Sequence, residues 1–257
     1  MTVKFTLEFE KLIKMLKITR FTGENDVVFT LAPDSLRVFG VNKSHTVAVL
    51  CDLVVAGSTA EGQFAVSGDV AEKMAKKRGT GNAVVSFDRE IKIKVGGDTY
   101  KISTVDFDPE FVKGMTEGLF TENMKKVAVT LLCGVQHLKQ KLENLDIGKY
   151  EAVPLDFDGK NLVVGSVMGA GLLSYIGKTD VKVLTGENEK VKFNYGYSFL
   201  MDALDRIGQF SEEVYLMFTK DGLMFMMGYI GTKSKVMIVV APRVEVEGMS
   251  AEEGEKE

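Results

Sequence analysis

Cysteine and histidine are nearly missing from this 257-residue chain: there are two of each. Cys51 and Cys133 are too few to build a disulfide framework, so a reducing compartment such as the cytoplasm is expected. His45 and His137 have no Cys or His at a metal-ligand spacing, so no metal centre is expected. Long apolar runs are lacking too. None approaches the roughly 18 residues needed to span a bilayer, and Met1 to Leu7 has no basic-then-apolar leader layout. No membrane partner follows from such a chain. The loops that carry nucleotide or acyl chemistry are absent as well. There is no Walker loop and no Gly-x-Ser-x-Gly, and Gly169-Ala170-Gly171 precedes an expected strand rather than a helix. No carboxylate pair stands out. The expectation is a protein without catalytic residues or cofactor. Positive charge is also short, with a formal net charge of −4, which argues against a uniformly basic nucleic-acid binder.

What the chain does have is a core and a repeat. Apolar residues make up 45% and charged residues 26%, the profile of a globular protein of one large or two ordinary domains. Val3 to Leu7 reads as a strand and Glu8 to Ile18 as an amphipathic helix, with Leu12, Ile13 and Leu16 on one face. Strands Val27 to Leu31, Leu36 to Val41 and His45 to Val54 follow. The order returns with strand Gln63 to Val66, helix Asp69 to Lys77, and strands Ala83 to Phe87, Ile91 to Val95 and Thr99 to Val105. A third copy holds Val127 to Leu131, helix Val135 to Asn144, and strands Ala152 to Phe157, Leu162 to Ser166 and Leu172 to Ile176. The fourth holds Val191 to Tyr195, helix Ser198 to Ile207, and strands Val214 to Phe218, Leu223 to Tyr229 and Lys235 to Val240. A helix starts every 60 to 65 residues, roughly, which is too long a period for the usual solenoids.

One segment fits no copy. Asp106 to Lys126 holds Asp108-Pro109, Gly114 and Gly118 without a strong period, and reads as a linker between two similar domains. The fold class expected is α+β: domains 1–105 and 127–244, each a duplicated β-α-β-β-β unit, joined by linker 106–126. Residues 245–257 are acidic and read as a solvated tail.

Local wording then matters. Gly40-Val41-Asn42-Lys43-Ser44-His45-Thr46, Val105-Asp106-Phe107-Asp108 and Ala241-Pro242-Arg243-Val244-Glu245, together with the doubled repeat, resemble segments of the PCNA sliding-clamp family, the ending being similar to that of archaeal members. The linker is longer than is usual there, and Gln140, flanked by Lys139 and Lys141, stands where the family often has arginine. The resemblance implies a DNA clamp fold that assembles as a homotrimer into a closed ring with helices lining the hole. It also implies a processivity factor that encircles duplex DNA without reading sequence. Its implied partners are DNA polymerase, flap endonuclease, DNA ligase and a clamp loader, reached through PIP-box peptides. A monomeric processivity factor of the viral type is the alternative, and a β-rich enzyme the more distant one.

Charge placement agrees with that implication. Three of four expected helices lean basic in a net acidic chain: Lys11, Lys14 and Lys17 with Arg20 beyond, then Lys73, Lys76, Lys77 and Arg78, then Lys139 and Lys141. The fourth sets Arg206 beside Asp202 and Asp205. Lysines that meet phosphates loosely attract DNA without arresting it. Strands Thr99 to Val105 and Leu172 to Ile176 are expected at free edges, which makes Tyr100, Ile102, Leu173 and Tyr175 interface candidates for head-to-tail pairing. The family places a client-peptide groove under the linker. Position by position this implicates Val41, His45, Met115, Leu119, Phe120, Val239, Ala241 and Pro242.

Overall fold

A computed structural model describes residues 3–19, 26–42, 44–58, 61–88, 90–145, 152–165 and 176–243. The first unit runs β1 Val3–Glu8, α1 Phe9–Thr19, β2 Val27–Ala32, β3 Ser35–Val41 and β4 Val47–Val54. In β1 the apolar Val3, Phe5 and Leu7 turn inward while Lys4 and Glu8 face solvent, the alternation a half-buried strand requires. The second unit runs β5 Gly62–Val66, α2 Gly68–Ala75, β6 Asn82–Phe87, β7 Glu90–Val95 and β8 Asp98–Ser103. Ser67 starts α2 by accepting the Val70 amide on its hydroxyl.

The linker departs from expectation. It is helical, with α3 at Pro109–Met115 continuing as a π-helical stretch over Thr116–Glu122. Asp108 caps it by accepting the amides of Glu110 and Phe111, and Pro109 fits the first turn, where no amide donor is needed. The third unit follows as β9 Val127–Gly134, α4 Val135–Glu143, β10 Ala152–Phe157, β11 Leu162–Gly165 and β12 Ile176–Thr179, with an additional strand β13 at Lys182–Thr185. Of the expected strand Leu172–Ile176, only Ile176 lies among the described residues, where it opens β12. The fourth unit is β14 Val191–Gly196, α5 Tyr197–Ile207, β15 Glu213–Thr219, β16 Met224–Ile230 and β17 Ser234–Val240.

Each unit lends its first strand to its neighbour. β1 pairs with β6 of the second unit, and β5 pairs with β2 of the first. Likewise β9 pairs with β15, and β14 with β10. The chain then hooks back after each unit's fourth strand onto that unit's own first strand. Ala56 exchanges hydrogen bonds with Thr6 (2.8 and 2.9 Å), the Val105 amide donates to Ala65 O (3.0 Å), and the Arg243 amide to Asn194 O (2.7 Å). In the third unit the hook lengthens into β13, which pairs with β9 across a bulge. Two four-stranded sheets result, ordered β1-β6-β7-β8 and β12-β11-β10-β14. Antiparallel pairing of β4 with β17, Val47 opposite Val240 and Cys51 opposite Val236, fuses the remaining strands into one nine-stranded sheet.

The helices and sheets enclose one apolar core that includes Leu12, Leu16, Met74, Leu138, Leu142, Leu200 and Leu204. A second, smaller core lies on the other face of the nine-stranded sheet. There the linker drives Val112 and Phe120 against Phe39, Met217, Phe225 and Val239. Tyr195 is buried with its hydroxyl donating to Gly222 O at 2.7 Å. Gly222 has φ +89°, and a β-carbon there would stand 2.5 Å from the Phe193 ring, so glycine is required on both counts.

Candidate nucleic-acid interface

The helices pack as two pairs, α1 with α2 and α4 with α5, and α1 meets α5 where the halves join. Their apolar stripes face the sheets, so the opposite stripes form a polar layer. Lys17, Lys73, Lys76, Lys77 and Arg78 are exposed on this layer, and Lys11, Lys14 and Lys141 are half-buried. Arg20 lies outside the described residues.

Several of these cations have local partners. Lys11 pairs with Glu8, and Lys76 with Glu72, each at 2.7 Å. Both pairs are short-range and well solvated, worth at most about 1 kcal/mol, and neither fixes its lysine. Lys77 Nζ lies over the Tyr100 ring, 5.8 Å from its centroid. Lys139 differs. It reaches from α4 to Asp205 of α5 at 2.6 Å and to Glu143 at 3.6 Å, and its side chain is only 24% exposed. The Asp205 hydrogen bond, with both carboxylates' charge, holds the Lys139 ammonium above its ordinary pKa. Arg206 does not project freely either. Its Nη1 donates to the carbonyl of Lys17 in the last turn of α1, where a cation complements the negative helix end. Both residues tie helices together. Sequence reasoning had no means of pairing Arg206 with a carbonyl so distant along the chain.

Of the expected edge strands, Thr99 to Val105 corresponds to β8, whereas Leu172 to Ile176 lies outside the described residues except for Ile176, which opens β12. β8 ends one sheet and β12 the other. On β8, Ile102 is core at 8% exposure, while Tyr100 is half-buried and stacks on Phe9, with centroids 6.1 Å apart. Leu173 and Tyr175 lie outside the described residues; Ile176, not singled out from sequence, is 67% exposed on β12. Its signal was its place at the end of an expected edge strand.

The groove candidates separate by depth. Val41 and Val239 are buried beneath the linker, and the linker's own Phe120 is buried against the same sheet face. Met115, Leu119, Ala241 and Pro242 are half-buried, and His45 is exposed. His45 has φ 54° and lies 6.0 Å from the Phe111 ring. Its loop is held by Asn42, whose side chain reaches Thr46 Oγ1 (2.9 Å) and accepts the Val47 amide (3.0 Å). The Ala241 amide donates to Thr46 O at 2.9 Å, bringing the chain's last described segment to this loop. Unpredicted aromatics extend the same sheet face: Tyr229, 41% exposed, meets Tyr215 edge-on with centroids 5.8 Å apart.

Among the described residues no cluster of His, Cys, Asp and Glu has the makings of a metal site, and no helix is long and apolar enough to cross a membrane.

Neither a scan of family models nor a sequence search for curated relatives finds a match. Solved structures do match. A putative DNA polymerase III beta subunit from Eubacterium rectale aligns with TM-score 0.75 at 13% identity, over 93% of this chain and 65% of that one. The DNA polymerase sliding clamp of Pseudomonas aeruginosa aligns with TM-score 0.75 at 16% identity, over 94% of this chain and 67% of that one. PCNA from Thermococcus kodakaraensis aligns with TM-score 0.71 at 13% identity, over 94% of this chain and 100% of that one. The chain thus spans about two thirds of the length of the two bacterial proteins and the whole of the archaeal one. Its fold is the sliding-clamp fold, as the resemblance implied.

Proposed function

We propose that this chain is one subunit of a ring that encircles duplex DNA and tethers DNA polymerase and other DNA-processing enzymes, and that it catalyses nothing itself. The observation that carries the reading is the pair of strand edges left unpaired among the described residues. β8 and β12 end their sheets, one in each half, below a continuous polar helix layer. Pairing β8 of one subunit with β12 of the next is a head-to-tail contact, and such contacts close when the rotation permits. Three subunits follow from the family resemblance, with 1–105 and 127–244 as the domains. The helix layer then faces the hole, where solvated cations attract phosphate without fixing a register. Clients dock on the opposite face, around His45, Phe111, Ala241 and Pro242, with Val41, Phe120 and Val239 as the floor.

The test compares the parent protein with Ile176→Asp. The parent should run at three subunits' mass across a dilution series and co-elute with nicked circular plasmid until the plasmid is linearised. The variant should be a folded monomer that does not co-elute. Co-elution that survives linearisation would refute encirclement, and a monomeric parent at every concentration would favour the viral-type alternative.

A further inference from the structure

The helix layer is electrically lopsided. In the first half α1 sets three lysines against Glu10, and α2 runs on into Lys76, Lys77 and Arg78. In the second half the cations are largely engaged: Lys139 is tied to Asp205, and Arg206 to the end of α1. The two halves face each other across a cleft of about 710 Å³. One wall carries Lys17, Lys76, Lys77 and Arg78, and the facing wall carries Asp202, Asp205 and Arg206 of α5 with Gln209, Arg206 being tied to the Lys17 carbonyl.

We infer that duplex phosphates are gripped only along the Lys17–Arg78 wall, and that Asp202 on the facing wall weakens this grip and keeps the contact mobile. The inference rests on the reading of the helix layer as the DNA path and goes further in saying which part of it works. Lys17, in the last turn of α1, and Arg78, three residues beyond α2, are exposed and can meet a phosphate without giving up another ionic partner in the cleft. A carboxylate across a cleft of this size lies on the order of one Debye length from that phosphate, about 8 Å at physiological salt, so its repulsion is attenuated but felt. A wall of cations alone would hold the strand more tightly and slow its passage. In a ring of such subunits, gripping sectors alternate with slack ones.

The test is a salt titration of binding to a short fluorescein-labelled DNA duplex, read by anisotropy. Each lost phosphate contact should lower the slope of log K against log salt by about 1. Lys17→Ala with Arg78→Ala should therefore reduce it by about 2. Lys141→Ala, a cation of the second half, should leave the slope unchanged. Asp202→Asn should raise affinity roughly two- to threefold at low salt, an effect that fades as salt screens it. A Lys141→Ala slope change equal to that of Arg78→Ala would overturn the inference while leaving the clamp reading intact. So would an Asp202→Asn affinity equal to the parent's. If the parent shows no salt-dependent duplex binding, the inference and the clamp reading fail together.

Discussion

Phe120 offers the sharpest test of how the linker is held. Its ring is 3% exposed and sits between two others, 6.4 Å from Phe39 edge-on and 6.4 Å from Phe225. Phe39 belongs to β3 and Phe225 to β16, so one side chain pins the linker across the joint between the halves. Phe120→Ala removes a buried ring and leaves a cavity that the sheet cannot fill, because β-strand backbones on that face are locked in register. The expected cost is about 3–5 kcal/mol, on the order of 10 °C in melting temperature for a chain of this size. Phe111→Ala is the control. That ring is 44% exposed, so its removal should cost under about 1 kcal/mol. Urea unfolding measures both. Hydrogen exchange then shows where the loss falls, with amides of 109–124 losing protection first if the linker opens as a unit. A Phe120→Ala cost no larger than that of Phe111→Ala would refute the linker-anchor argument. Client-peptide affinity should fall in the same variant, because the groove's floor goes with the anchor.

Two further outcomes follow from buried and capped groups. Burial, with Asp52 adding to it, pushes the Cys51 thiol far up; burial with Glu213 raises Cys133 to about 12. Both should be silent to Ellman's reagent at pH 8 in the folded protein and yield two thiols on unfolding, so rapid labelling of either in the native state would contradict the packing. Asp158 is held below the usual carboxylate range by the Asn161 and Lys160 amides, and Asp221 by the Thr219 hydroxyl. Depressed folded values mean that their stabilisation is present above the unfolded value of about 4 and is lost as pH falls through the folded values below it. Asp158→Asn with Asp221→Asn should therefore flatten the fall of melting temperature over that acid range, and curves that stay parallel to the parent's would remove these turns from the acid response.

The repeat was legible because period alone reports it. Leu12, Ile13 and Leu16 recur at helical spacing, and β1 alternates with period two, whatever the neighbours are. Which strand pairs with which was not legible, since alternation fixes a face but names no partner. Nothing in Val3 to Leu7 says that its strand joins β6 rather than β2. The hooks at Ala56, Val105 and Arg243 are single bridges, too short to leave a pattern. The linker misled for a different reason. Gly114 and Gly118 each lower helix propensity by about 1 kcal/mol, and neither would meet any neighbour with a β-carbon, so no packing demand explains them. The helix forms because Asp108 caps it and because Val112 and Phe120 reach an apolar sheet face. At the candidate DNA surface, sequence supplied the cations but not their engagements. Lys139 and Lys14 look alike in a helical wheel; only the fold sets Asp205 2.6 Å from Lys139.

The ladder between β4 and β17 bears on what a subunit of the proposed ring would have to do mechanically. If the two halves met only through side chains, the angle between them would relax with each repacking, and a closed assembly would have no fixed curvature. Here the joint is a backbone ladder. Six residue pairs from Lys235 opposite Asp52 to Val240 opposite Val47 continue one sheet into the next, and opening it would strand amides and carbonyls on Ala48, Leu50, Met237 and Val239, all buried. Phe120 locks the ladder from one face, and Arg206, reaching the end of α1, ties it from the other. Bending the joint therefore strains hydrogen bonds and two separate packing layers at once. By contrast β8 and β12 expose strands of six and four residues with a ladder edge unused among the described residues. The stiffness lies within the chain and the unused edges at its ends, the division that the ring proposed above would need to open at an interface and keep its shape elsewhere.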